Sequence, residues 1–205
     1  PHPYWDHPMD LSGKNYLPFL RDHYQEHDRL RWILGKRFAG KAKLVYEFET
    51  FYNQSGYLYP AMARLMRSLG VQMAQMWQYT LTPVAEYVGG SHYLNALCTP
   101  EKAASFAIAG RVFERVPRCA PYDTEAVEEM AFDGCFLSFP RNVSRLRTAD
   151  TLMQSRDEGR GAGDGAGPSS PEGLAGIRHI LGCGSSAVVS YDGTGLYRVE
   201  VGEKE

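Results

Sequence analysis

A chain of 205 residues has room for one ordinary domain or two small ones. Its 43% hydrophobic and 22% charged residues are normal for a globular protein and exclude wholesale disorder. A net charge of -2 excludes a global field drawing the chain to nucleic acid or an anionic membrane, and no stretch approaches the length of an apolar membrane span.

The opening Pro1-His2-Pro3-Tyr4-Trp5-Asp6-His7-Pro8 lacks the basic start and apolar run of a signal peptide, so the expectation is a soluble chain with no visible export signal. Residues 15–38 read as a helix, with Leu20, Tyr24, His27, Leu30 or Arg31, and Leu34 at helical spacing. His23 and His27 lie four apart there, but no third ligand has matching spacing and Arg21 and Arg29 flank them. Neither a metal nor a cofactor is expected. Residues 43–47, KLVYE, then read as a short strand of the kind covered on both faces.

The next unit repeats that order. Tyr57 to Leu69 is an amphipathic helix stopped by Gly70, and Val71 to Trp77 is a second strand. A loop over 78–100 leads to a third helix from Glu101 to about Phe113, with Thr99 as its candidate cap. Strand–helix–strand spacing of this kind means parallel strands joined by right-handed crossovers. Two fold classes fit: an α/β chain that is the C-terminal part of a (β/α)8 TIM barrel, or a small open α/β sheet. A complete barrel needs about 250 residues, and the repeating section here is far shorter.

After Pro117 the pattern changes. Asp133 to Phe139 reads as a strand, and 142–157 is mixed. Residues 157–173, DEGRGAGDGAGPSSPEG, read as a flexible linker. Three short strands follow at 177–181, 187–191 and 196–201, expected to complete a β-sandwich-like segment or to cap the barrel. The expected division is a partial barrel over 1–117, a transition over 118–156, the linker over 157–173, and an accessory β-rich segment over 174–205. Cys98, Cys119, Cys135 and Cys183 are widely spaced with no C-x-x-C pair. One or two disulfides fit, and four buried thiols are the plainer reading.

In a barrel, side chains at the carboxyl ends of strands face the active site. Glu47 ends the first strand and Trp77 the second. Around them stand Tyr46, Glu49, Tyr52, Asn53, Gln54, Gln75, Gln78 and Tyr79, ring stackers and hydrogen-bonding groups suited to a polyhydroxylated neutral ligand. A strand-end carboxylate has the chemistry to attack an anomeric carbon. Each of these residues also has a plainer reading: Glu47 as an ordinary salt-bridge residue, Trp77 as core or rim, Glu49 as a supporting or solvent-facing group.

The run LVYEFETFYNQSGYLYPAMARLMRSLGVQMAQMWQY is similar to strand seven, helix seven and strand eight of the retaining glycoside hydrolase clan that includes β-galactosidases, β-mannosidases and cellulases. The resemblance covers about residues 1–117. It implies that Glu47 is the catalytic nucleophile and Trp77 the floor of the reacting subsite, and that Tyr4 is an aromatic hydroxyl beside the nucleophile. Tyr46, Glu49, Tyr52, Asn53, Gln75 and Tyr79 are then substrate-binding candidates for an oligo- or polysaccharide. The clan's acid/base Glu ends strand four, and no such strand precedes Pro1. Retaining chemistry needs two carboxylates about 5–5.5 Å apart, and neither Glu49 nor Glu86 is placed to oppose Glu47. The expectation is therefore glycoside hydrolysis in a longer protein, an isolated chain without activity, and a missing upstream barrel half as partner. A noncatalytic carbohydrate-binding module and a fragment without a role of its own are the competing readings.

Overall fold

A computed structural model describes residues 15–18, 20, 32–50, 55–76, 78–87, 94–122, 128–156, 176–186, 189–193 and 195–202. The apolar run Leu44–Phe48 forms β1, Leu58–Ser68 forms helix α1, and Met73–Met76 forms β2, which pairs with β1 in parallel. The strand–helix–strand spacing anticipates this local unit. Helix α1 ends at a Schellman motif: Gly70 N–H donates to Arg67 O and Val71 N–H to Met66 O, with Gly70 at φ +80. That turn aims the chain straight into β2.

Pro100–Arg115 forms α2, with proline in its first turn, where a missing N–H costs nothing. The remainder is a six-stranded sheet: β3 (Glu129–Phe132), β4 (Cys135–Ser138), β5 (Val143–Arg147), β6 (Thr151–Gln154), β7 (His179–Cys183) and β8 (Leu196–Glu200). Its spatial order follows its sequence order. Every neighbouring pair is antiparallel except β6–β7, which is parallel.

Three layers result. Val45, Ala74 and Met76 of the β1–β2 pair pack against the core and Phe48 meets Tyr59 of α1, α1 packs on α2, and α2 lies across β5, β6, β7 and β8. A shared core runs through them, from Phe48 on β1 and Tyr59 and Met62 on α1, through Ile108 on α2, to Leu137, Leu146 and Met153 on the sheet. Gly56 fixes the approach of the α/β portion to the sheet. A Cβ there would lie 2.2 Å from Asn142 O, and its N–H donates to Asn142 Oδ1 at 2.9 Å. The opposite sheet face carries a smaller cluster of Leu152, Ile177 and Ile180.

These observations correct the fold expected from sequence. Neither sheet closes: one has two strands, the other six in a line. The chain is not the C-terminal part of a (β/α)8 TIM barrel, and the β-rich end is one open sheet backed by a helix rather than a β-sandwich. The physical reason is that α2 is followed by antiparallel hairpins instead of another parallel strand, so nothing continues the β1–α1–β2 crossover toward closure. A strand–helix–strand unit is common to barrels and open sheets, and cannot separate them by itself. With the barrel goes the resemblance to the retaining glycoside hydrolase clan, since that likeness rests on β1, α1 and β2 being barrel elements.

Smaller differences follow from local chemistry. The predicted helix over 15–38 is interrupted at its described end: Gly35 is extended (ψ 148), separating 3-10 turns at Trp32–Leu34 and Lys36–Phe38. The strand expected over Asp133 to Phe139 is half of a hairpin, with Asp133 and Gly134 as its turn. Residues 142–157 supply β5 and β6, and among the described residues of 187–191 there is no strand. The expected linker over 157–173 lies outside the described residues. Cys135 and Cys183 are buried, whereas Cys98 and Cys119 are exposed, so the four thiols are not all interior. Among the described residues no helix is long and apolar enough to cross a membrane, and no group of three or more His, Cys, Asp or Glu side chains is placed to hold a metal ion.

The β3–β4 turn has positive φ at both central residues, Asp133 at 45 and Gly134 at 78, the geometry that matches the right-handed twist of the strands. A Cβ on Gly134 would meet Arg147 O at 2.3 Å. Gly134→Ala should lower the unfolding free energy by about 2 kcal/mol in a urea titration, whereas Gly110→Ala, with open space around its Cβ, should raise it slightly.

Candidate functional site

At the carboxyl end of β1 the chain buries charge. Val45 pairs with Ala74 and Phe48 with Met76, so β1 carries one residue more than β2 between those pairs. The bulge breaks the in–out alternation and turns Glu47 and Phe48 both inward. Phe48 makes a triangle of rings with Tyr59 on α1 and Phe106 on α2, with centroid separations of 5.5, 6.0 and 5.3 Å.

Beside this triangle the Lys102 ammonium lies 2.7 Å from Glu49 Oε1, with side-chain exposures of 3% and 0%. Lys102 also donates to Thr50 O at 3.0 Å, and Thr50 N–H donates to Glu49 Oε1 at 2.7 Å. The Tyr59 hydroxyl donates to the same carboxylate oxygen, while Oε2 of Glu49 is buried without a hydrogen-bond partner among the described residues. Burial pulls the Lys102 pKa down against the opposing pull of Glu49. Burial, then the Glu49 charge, pushes the Tyr59 hydroxyl well above its ordinary value. This arrangement is a sealed structural ion pair, and both of its charged members are held away from solvent.

The outer surface of the same unit is built differently. Leu44 and Tyr46 on β1 and Met73 on β2 share the face turned away from α1, exposed by 57%, 64% and 50%. Gln75 is exposed there too, and Tyr79 continues the alternation beyond the strand. Parallel sheets are ordinarily covered on both faces. The loop that follows adds Leu81, Val84, Tyr87 and Leu97, all exposed.

A fully buried Asn95 holds that loop. Its Nδ2 donates to Thr80 O (2.7 Å) and Thr82 Oγ1 (3.1 Å), and its Oδ1 accepts from the N–H groups of Leu97 (2.8 Å) and Cys98 (2.9 Å). Both donors and the amide oxygen are thus used. Thr99 occupies the cap position of α2 but makes no side-chain cap. Its hydroxyl instead accepts from Asn95 N–H and donates to Asn95 O, each at 2.9 Å. The loop and the start of α2 are one hydrogen-bonded piece.

The predicted site residues therefore separate. Glu47 and Glu49 are interior, Glu49 as one half of an ion pair and not solvent-facing. Tyr46, Gln75 and Tyr79 are on the surface. Tyr4, Tyr52, Asn53 and Trp77 lie outside the described residues. Retaining glycoside hydrolysis is corrected here as well: without a barrel there is no ring of strand ends to hold a nucleophile and its acid/base partner around a glycosidic bond. Sequence reasoning missed Lys102, Tyr59 and Asn95. A signal for Lys102 existed, because Lys102, Ser105, Ala109 and Val112 form one buried stripe, and a lysine on such a stripe requires a buried partner. No family model, curated protein or solved structure matches this chain.

Two predictions follow from the ion pair. Lys102→Met leaves the Glu49 carboxylate buried without its cation and should cost about 3–5 kcal/mol in chemical denaturation. Adding Glu49→Gln should recover a large part of that loss, and a double variant as unstable as the single one would refute the pairing. The second concerns alkaline pH. Tyr57, raised mainly by burial, and Tyr59 keep their protons in the folded state above their ordinary 10.0, where the unfolded chain loses them. Folded tyrosines then bind more protons than unfolded ones, so stability is whole below pH 10 and falls above it. The slope is about 1.4 kcal/mol per pH unit for each ring. Lys102 acts oppositely and lower, adding stability as pH rises toward its ordinary 10.5. Urea titrations above pH 10 should show Tyr59→Phe losing one proton's share of that slope.

Proposed function

We propose that this chain works by binding protein, as an association unit whose docking surface is the outer face of β1–β2 together with the Asn95-braced loop. One observation carries the reading: of the twelve large hydrophobic side chains exposed among the described residues, ten fall between Trp32 and Leu97. Single exposed hydrophobics are ordinary on any surface, whereas a concentration on one portion of a fold marks an interaction site. The eight from Leu44 to Leu97 expose on the order of 1,000 Å² at about 200 Å² per large side chain. That compares with the ~800 Å² each partner contributes to a stable interface.

The bracing supports the same reading. The described parts of the loop, 78–87 and 94–99, are tied together by a saturated buried amide, which lowers the ordering cost of association there. Two tyrosines on the loop suit this role, because an aromatic ring offers a large contact area with few torsions to freeze.

Replacing Leu81, Val84 and Leu97 together by serine should cut binding of a neutral solvatochromic dye by roughly 40%, the share of the patch removed. The far-UV spectrum and urea midpoint should stay as in the parent, since none of the three is core. Asn95→Ala should lower the unfolding free energy by about 2 kcal/mol, because four partners lose their bond in a buried place. Dye binding that is unchanged by the triple substitution would refute the surface.

A further inference from the structure

We infer that the occupant of this surface is a second copy of the same chain, seated across the outer face of β1–β2 about a twofold axis. The inference rests on the association reading and adds the identity of the partner. Three observations point to self-association. First, the face is neutral: Leu44, Tyr46, Met73, Gln75 and Tyr79 carry no charge. A twofold interface sets each patch against itself, so a charged patch meets like charge, whereas a neutral apolar one is self-complementary.

Second, the sequence of β1 is written for more burial than one copy provides. Leu44, Val45, Tyr46 and Phe48 make a nearly unbroken apolar run, the composition of a parallel strand covered on both faces. Phe48 alone of the four is fully buried, inside the ring triangle. Stacking two copies face to face gives each parallel pair its second cover, with the helix layers outermost and the sheets separated by about 10 Å. Third, an interface that takes in the loop as well as the face meets what one side of a stable dimer requires, on the order of 800 Å², of which the face alone supplies roughly half. The six-stranded sheet carries no comparable area, with Val199 and Val201 its exposed large hydrophobics among the described residues.

Sedimentation velocity on the full chain, from low micromolar to hundreds of micromolar, tests this directly. The parent should move from 23.0 kDa to twice that mass as concentration rises. Leu44→Asp with Met73→Ser places charge on both copies at the centre of the face without setting like charges opposite each other within one copy, and should weaken association on the order of 100-fold. Both side chains are half exposed or more, so at low micromolar concentration, where the parent is monomeric, the variant should unfold close to the parent's urea midpoint, and Val199→Asp on the other sheet should dimerise like the parent. A parent that stays monomeric overturns the second-copy inference and leaves the association reading to its own dye measurement. A dimer untouched by the double substitution overturns the face.

Discussion

Lys102 crosses from the first turn of α2 to the carboxyl end of β1, and the arrangement of the α/β portion depends on what it finds there. A buried ammonium is tolerated only with compensating charge and hydrogen bonds. Glu49 and Thr50 supply both, so α2 cannot slide along β1 without leaving a charge behind. Tyr59 brings α1 into the same point by donating to Glu49. One carboxylate oxygen thus fixes three elements, and the ring triangle of Phe48, Tyr59 and Phe106 packs around it. Hydrophobic contact holds these layers together, and the ion pair decides their register.

That register explains why the two faces of β1–β2 differ. The bulge in β1 turns Glu47 and Phe48 inward together, and everything before it alternates. The inner side chains are committed to α1 and α2. The outer ones, Leu44 and Tyr46 beside Met73, have no layer of this chain described over them. A two-stranded parallel sheet is marginal by itself, and among the described residues it borrows stability from the core on one side only.

Much of the local structure was legible in the sequence. The apolar run of β1, the amphipathic α1 and Gly70 gave a strand–helix–strand unit, and the parallel pairing is found. The long-range architecture was not legible, because a crossover unit reads alike whether it belongs to a closed or an open sheet. The deciding information lay after Pro117, where Asp133-Gly134 marks a hairpin turn and not the interior of a strand. The site divided in the same way. Exposed polar and aromatic residues near strand ends suggested a cleft, but sequence spacing could not report the bulge that sends Glu47 inward. Nor could it report the sequence-distant pairing of Glu49 with Lys102. Asn95 was invisible for another reason: a buried asparagine in a loop looks like any turn residue until its four partners are known.

The single parallel pairing in the larger sheet has a kinetic side. From β3 to β6, strands that are neighbours in space are joined by turns of a few residues, so each closure costs little chain entropy and can proceed in microseconds. Between Gln154 and His179 the direction of travel does not reverse, and β7 meets β6 in the same sense. The chain must therefore recross about 13 Å, four residues of strand rise, before that register can form. No tight turn does this, and the entropy of the longer closure is spent before any β6–β7 hydrogen bond repays it. The sheet has a seam there. On one side stands a four-stranded meander that local closure can assemble, and on the other a β7–β8 pair joined to it across a longer stretch of chain.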